Sequence, residues 1–279
     1  CLESSGITLT YLDNPDTLRP DLLNARPELV LNLCDEGFAN DARKELHIPA
    51  LMEMLNIPYT GGTPQCLSTC YDKSMVRGIA SEMGIPVPQG FMVKPDESTY
   101  TLPIAFPVIV KPILGDSSVG IRAECVVNSV DELTAIIADL HRQFNLPVLV
   151  EEFLTGDDLT IGIVGQAPDE YRVFSLGVTD YSTLPDALPP ICGYESKWEF
   201  DSAYFKNLRF AQAQLPDETQ RLITDWSLQL KNRLECHDYV RLDWRLDADG
   251  NPRLLEVNPN PGWCWDGHLA KMANLSGLS

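Results

Sequence analysis

The stretch Arg253–Met272 reads RLLEVNPNPGWCWDGHLAKM. A hydrophobic strand runs into Glu256, Asn258 and Asn260, and a rigid turn of two prolines, a glycine and two tryptophans follows. Just upstream, DYVRLDWRLDADG reads as a second strand, joined to the first by Asp249-Gly250, a strong hairpin signal. If the two strands pair across that turn, Asp243, Glu256 and Asn258 can project from one face. Glu256 and Asn258 share a face by the strand period of two. Hard oxygen donors in such a set suit Mg²⁺, which is commonly held by a few protein oxygens and substrate phosphates. The competing reading is a solvated polar sheet face, and the apolar run LLEV argues against it.

Composition narrows the class. The chain has 279 residues, 44% of them hydrophobic, enough for two or three small domains around one site. No apolar run is long enough to span a bilayer, so no membrane role is expected. With 40 acids against 21 bases the net charge is -19, which disfavours nucleic acid as a partner. The eight cysteines (Cys1, Cys34, Cys66, Cys70, Cys125, Cys192, Cys236 and Cys264) show no CxxC spacing. Cys66 and Cys70 share a helix face, but two ligands do not make a zinc site. Reduced core cysteines are the expectation for all eight, and with them a cytoplasmic protein. The opening CLESSGITLTYLD lacks a Met and reads as if a preceding strand and loop lay outside the chain.

Along the chain, residues 7–12 and 28–33 are expected strands, followed by an amphipathic helix in KELHIPALMEMLN. Helices alternating with short apolar strands argue for a parallel sheet here. Gly61–Pro64 is a plausible boundary. One helix is expected in STCYDKSMVRGIASEM, stopped by Gly84. FPVIVKP is a buried strand, and SVDELTAIIADLHRQF a helix with Ser129 as cap and Glu132 at the capping-box position. PVLVEEFL is a strand ending in acids, and GDDLTIGIVG alternates with Ile161 and Ile163 on one face. Residues 181–207 form a long Pro-rich, aromatic segment of the kind that is usually functional or mobile. A helix beginning PDETQRL follows.

Further motifs carry chemistry of their own. Lys73 opens a helix and Lys111 ends a buried strand, where a lysine meets a phosphate readily; each alone is matched by a solvated lysine. GDSSVG, Gly115–Gly120, is a small-residue loop whose amides can approach phosphate oxygens, though an ordinary turn has the same composition. VEEFLTGDDLTI, Val150–Ile161, ends a strand in acids able to read ribose hydroxyls, or is a plain charged strand end.

The wording IPYTGG…DK, FPVIVKP…SSVG, VLVEEFLTG, VRLDWRLDADG and LLEVNPNPG resembles the ATP-grasp superfamily, and within it the D-alanine–D-alanine ligases, along nearly the whole chain. The resemblance implies an α/β (α+β) ATP-grasp fold: an N-terminal α/β domain over residues 1–62, a central lobe over 63–150 and a C-terminal lobe over 151–279, with ATP sandwiched between the lobes. It implies Lys73 and Lys111 on the phosphates, Ser117 and Ser118 on the loop that closes over them, and Glu151, Glu152, Phe153 and Leu154 around adenine. Asp158 stands at the ribose position, usually Glu in the family. Asp243, Glu256 and Asn258 would hold two Mg²⁺ ions, with Mn²⁺ an alternative. Lys197 matches the mobile-loop lysine that reaches the terminal phosphate. Arg241 and the Gly262 backbone match the oxyanion-stabilising pair. The implied substrates are a small-molecule carboxylate and an amine; homodimers are frequent among such ligases.

Departures concentrate at the implied substrate end. Trp198 stands where the dipeptide ligases tend to have Tyr, and an indole donates but does not accept. Asp266, Gly267 and His268 replace a Ser-Leu pair, and Asp35 and Glu36 replace a His-containing turn. Asn260, Trp263, Trp265, Asp266 and His268 join Asp35, Glu36 and Trp198 as substrate candidates. The expected activity is therefore an ATP-dependent carboxylate–amine ligase of altered specificity. Its alternatives are a ligase condensing an amino acid onto an activated carbonyl or enol, as in mycosporine-type pathways, and a nucleotide-binding protein without catalysis.

Overall fold

The computed structural model describes residues 6–34, 37–97, 101–115, 118–166 and 170–278. Two antiparallel sheets organise it. The smaller contains β1 (Gly90–Val93), β2 (Val108–Pro112), β3 (Val126–Val127) and β4 (Val148–Glu152), ordered β1-β4-β2-β3. Alternation sorts its side chains. Val108, Val110, Val148 and Val150 point into a core closed by Leu133, Ile137 and Leu140 of helix α5 (Val130–Phe144). The intervening positions Lys111 and Glu151 fall on the opposite face, at register positions paired with Leu149 and Ile109. Helix α5 begins as expected, with the Ser129 hydroxyl accepting from the Glu132 amide at 3.3 Å. The Glu132 carboxylate reaches one residue further back than a standard capping box, to the Asn128 amide at 2.7 Å.

The larger sheet contains β5 (Asp158–Val164), β6 (Arg172–Val173), β7 (Gly177–Asp180), β8 (Arg209–Gln212), β9 (Tyr239–Leu246) and β10 (Pro252–Asn258). Its order is β10-β9-β5-β7-β8, with β6 paired to β5. Leu159, Ile161, Ile163, Leu242, Trp244, Leu254 and Val257 are fully buried on one face. Helix α8 (Asp217–Arg233) covers that face, and its Ser227 hydroxyl accepts from the Trp244 indole at 3.1 Å. The other face carries Thr160 opposite Asp243 and Gly162 opposite Arg241.

The hairpin forms across Asp249-Gly250 as expected, but with a bulge. Leu254 pairs with Trp244, whereas Glu256 pairs with Asp243, so Leu255 is one residue in excess. Simple alternation would put Glu256 on the core side with Leu254. The extra residue turns it to the opposite face.

Three local expectations change. The expected single helix near residue 72 is two helices, α3 (Pro64–Tyr71) and α4 (Lys73–Glu82). Asp72 breaks it because its carboxylate caps α4, accepting from the Ser74 and Met75 amides at 2.9 and 3.2 Å. Residues 7–12 form no ladder, and Tyr11 is 81% exposed. The parallel pairing expected for residues 28–33 reduces to one bridge, Val30 to Tyr59, because Leu29, Leu31 and Leu33 face outward. The remaining N-terminal helices are α1 (Leu18–Ala25) and α2 (His47–Leu55). The long segment 181–207 contains two short helices, α6 (Glu195–Trp198) and α7 (Ala203–Asn207). Helix α9 (His268–Leu275) lies against β5, with Leu269 and Met272 meeting Phe174.

Candidate active site

The bulge in β10 decides the centre of the site. Asp243 and Glu256 stand directly across from one another, and Asn258 stands across from Arg241. The Asp243 carboxylate accepts from Thr160 Oγ1 at 3.0 Å and from Arg241 Nε and Nη2 at 3.2 and 3.0 Å. Burial alone would raise the Asp243 carboxyl; the Arg241 charge and hydrogen bonds outweigh it and hold the group below its ordinary value. Asp243 is therefore an anion at neutral pH. Asn258 is buried, its Oδ1 accepting from the Asn260 amide at 2.9 Å. Two carboxylates and an amide oxygen on one sheet face make a hard-oxygen donor set that fits Mg²⁺.

Cations surround this set. Lys73, the first residue of α4, is buried, with Nζ donating to the Gly115 carbonyl at 2.6 Å and lying 3.7 Å from Glu256. It thus joins the start of the small-residue loop to the acidic strand. Lys111 Nζ and Arg77 Nη1 both engage the buried carboxylate of Glu151. Arg77 follows Lys73 by four residues on α4, one helical turn on, a spacing that would have signalled it. Glu151 thus faces Lys111, the lysine expected to meet phosphate.

Around the expected nucleotide end, Glu152 accepts from the Gln89 amide at 2.8 Å and Leu154 is buried. The Phe153 ring lies 5.1 Å beneath the Arg245 guanidinium. Asp158 accepts from the Tyr181 hydroxyl at 2.6 Å, and burial raises its carboxyl above the ordinary range against the pull of Arg245. Thr160, Arg77, Tyr181 and Arg245 were not among the sequence candidates. Thr160 follows Asp158 by one strand period, which is the signal that could have found it.

Two loops interlock over this face. The Ser118 hydroxyl donates to the Cys192 carbonyl at 3.0 Å, the Tyr194 amide to the Ile121 carbonyl at 2.7 Å, and the Ala123 amide to Glu195 at 3.0 Å. Arg122 lies 5.3 Å over the Tyr194 ring. The same segment carries Lys197 on α6, whose charge is felt at Asp158, Asp243 and His268. Ser117, Asp35 and Glu36 lie outside the described residues.

The arch after β10 sorts the substrate candidates. Asn260 Nδ2 donates to the Cys34 carbonyl at 3.0 Å and to Glu45 at 2.6 Å, so this buried amide braces the N-terminal region. Trp263 is half exposed, edge-on to Tyr239 with ring centroids 4.8 Å apart. Trp265 is 85% exposed, and Trp198 and Asp266 are also exposed. His268 opens α9 and stacks on Phe210 at 4.6 Å. Withdrawal from water, reinforced by Arg241, holds its imidazole down at about 3. Gly262 is partly buried in the turn between β10 and α9.

Two antiparallel sheets, with lysines from one side and an acidic hairpin from the other, define an ATP-grasp protein. The model of the D-ala D-ala ligase C-terminus matches residues 79–279, and the chain belongs to that ligase family. It is 30% identical over 283 residues to the D-alanine--D-alanine ligase of Gluconobacter oxydans, covering 100% of this chain and 86% of that protein. Its fold is similar to that of a D-alanine--D-alanine ligase from Bacillus anthracis complexed with ATP, with a TM-score of 0.70, 21% identity and coverage of 93% and 78% of the two chains. It is likewise similar to the VanG D-Ala:D-Ser ligase from Enterococcus faecalis, with a TM-score of 0.68, 22% identity and coverage of 90% and 69%. Among the described residues no helix is long and apolar enough to cross a membrane.

Proposed function

We propose that the protein is an ATP-dependent carboxylate–amine ligase whose substrates differ from those of the dipeptide ligases. The observation that carries this reading is Asp243 opposite Glu256, with Lys73 3.7 Å from Glu256. An unused nucleotide cleft has no need of a partly buried, paired carboxylate kept ionised beside a second one. When bound, Mg²⁺-ATP would supply the phosphoryl group that turns the carboxylate substrate into an acyl phosphate with release of ADP, and the amine would then displace phosphate to form the amide.

The chain's own residues divide the remaining work. Asp243, Glu256 and Asn258 would hold the metal through oxygen. Lys73, Lys111 and Lys197 would offset the negative charge on the transferring group. Glu151 orients Lys111 through their buried ion pair. Arg241 and the Gly262 amide would stabilise the tetrahedral oxyanion, a contribution of about 3–4 kcal/mol per donor in comparable sites. Ser118 and residues 191–195, interlocked over the face, would exclude water from the activated carboxylate. His268 near Arg241, and Trp198 and Asp266 at the rim, support a substrate other than two D-alanines.

The test follows ADP release by the purified chain with Mg²⁺ and a panel of carboxylate and amino-acid pairs. Release that requires two substrates is expected, and Glu256→Gln should abolish it. Nucleotide binding without turnover across the panel would replace the ligase reading with a non-catalytic one. Unchanged turnover in Glu256→Gln would refute the metal assignment.

A further inference from the structure

A cluster of three sulfurs lies apart from this site. Cys66 and Cys70 stand one turn apart on α3. Cys236 follows α8 and is 170 residues from Cys66, yet their sulfurs are 3.6 Å apart. All three Sγ atoms lie within 4.8 Å of one another, and each residue is buried. An ion bound at about 2.3 Å from each of three sulfurs requires sulfur separations of roughly 4 Å. The cluster already has that spacing.

A second observation concerns charge. Lys231, on the last turn of α8, is buried. Its ammonium donates to the Cys236 carbonyl and lies 5.3 Å from the Tyr171 ring. Among the described residues no carboxylate comes within ion-pair distance of it. A buried cation is costly without a compensating negative charge. A divalent ion held by three thiolates has a net charge of about -1, a close counter-charge that Asp238, acting from beyond ion-pair distance, does not provide. The alternative occupant of this space is three protonated thiols packed as small apolar groups, which leaves Lys231 with the Cys236 carbonyl, the Tyr171 ring and the more distant charge of Asp238.

We propose that Cys66, Cys70 and Cys236 form a site for a thiophilic divalent ion of the Zn²⁺ class, cross-linking α3 to the start of β9. Binding replaces three S–H protons, released to solvent, with three metal–sulfur bonds. The fourth position of a tetrahedron is left to water or another donor. The site would tie the helix preceding Lys73 to the strand bearing Arg241 and Asp243.

The full chain is purified anaerobically with a phosphine reductant and without chelator, and its zinc content is measured. The metal-free protein is then titrated with Co²⁺ and back-titrated with Zn²⁺. The expected result is one ion per chain and a sulfur-to-cobalt charge-transfer band that Zn²⁺ abolishes. That band should be lost in Cys70→Ser and kept in Cys264→Ser. A folded wild-type chain without zinc and without the band overturns the proposal, whatever the variants do. So does a band that survives Cys70→Ser. Ligase turnover is not read in this experiment, so its outcome is independent of the proposed reaction.

Discussion

Glu256 faces Asp243 across the hairpin because Leu255 is one residue too many for a regular ladder. The register opposite Asp243 is what matters, and in this sequence the bulge achieves it by taking Leu255 out of the ladder. Deleting Leu255 restores simple alternation and leaves Glu256 on the Asp243 side. Mg²⁺-dependent ADP formation should survive that deletion within about tenfold. Inserting one alanine between Leu255 and Glu256 lets Leu255 join the ladder opposite Asp243 and carries Glu256 two positions on, opposite Arg241, which should abolish it. Equal loss in both variants would show that the register is not what matters.

Glu151 is the shared counter-charge of Lys111 and Arg77. Glu151→Gln removes the anion and leaves two cations in a buried setting, at a cost of about 3–5 kcal/mol. Denaturant midpoints measure it. Glu152→Gln, where the residue accepts one amide hydrogen bond from Gln89 at 2.8 Å, should cost no more than about 1 kcal/mol.

The Asn260 amide ties the end of the catalytic hairpin to Cys34 and Glu45. Asn260→Ala leaves the buried Glu45 without that donor and should destabilise the chain by about 1–3 kcal/mol. Asn260→Asp sets a carboxylate against Glu45 and should be worse than Ala at neutral pH. Urea unfolding of the two variants gives the order; a milder Asp variant would refute the brace.

A side chain at Gly193 would place its Cβ 2.7 Å from the Ile121 carbonyl oxygen. Gly193→Val must therefore part the two interlocked loops. Limited proteolysis should cut residues 181–207 faster than in the parent chain. If turnover is as proposed, more ADP should form per amide as water reaches the activated substrate.

His268 gives stability a pH dependence of definite sign. Its folded imidazole titrates at about 3, below the ordinary value of 6.5, so the unfolded chain binds the extra proton between these values. This contribution is complete above about 6.5 and declines as pH falls toward 3. Unfolding midpoints of the parent chain should drop over that window, and His268→Gln should show a shallower slope.

Much of this was legible in the chain itself. The apolar runs of β2, β4 and β5, the Ser129 cap and the Asp249-Gly250 turn are local signals, and each formed as expected. Asp72 shows the limit of such reading: an acid within a helical pattern is compatible with continuation, and only its capping bonds made it a break. Leu29, Leu31 and Leu33 read as a strand, yet β pairing needs a neighbour, and only Val30 found one.

What the sequence determined alone was chemistry carried by residue type and short spacing: two acids and an amide on a hairpin, lysines at element ends, a small-residue loop and a long Pro-rich segment. What the tertiary structure decided was pairing across distance. It joined Lys111 and Arg77 to Glu151, turned Asn260 into a brace, and brought Cys236 to Cys66. Helix and strand periods act over a few residues, whereas these contacts depend on how whole elements pack, and no local pattern encodes that.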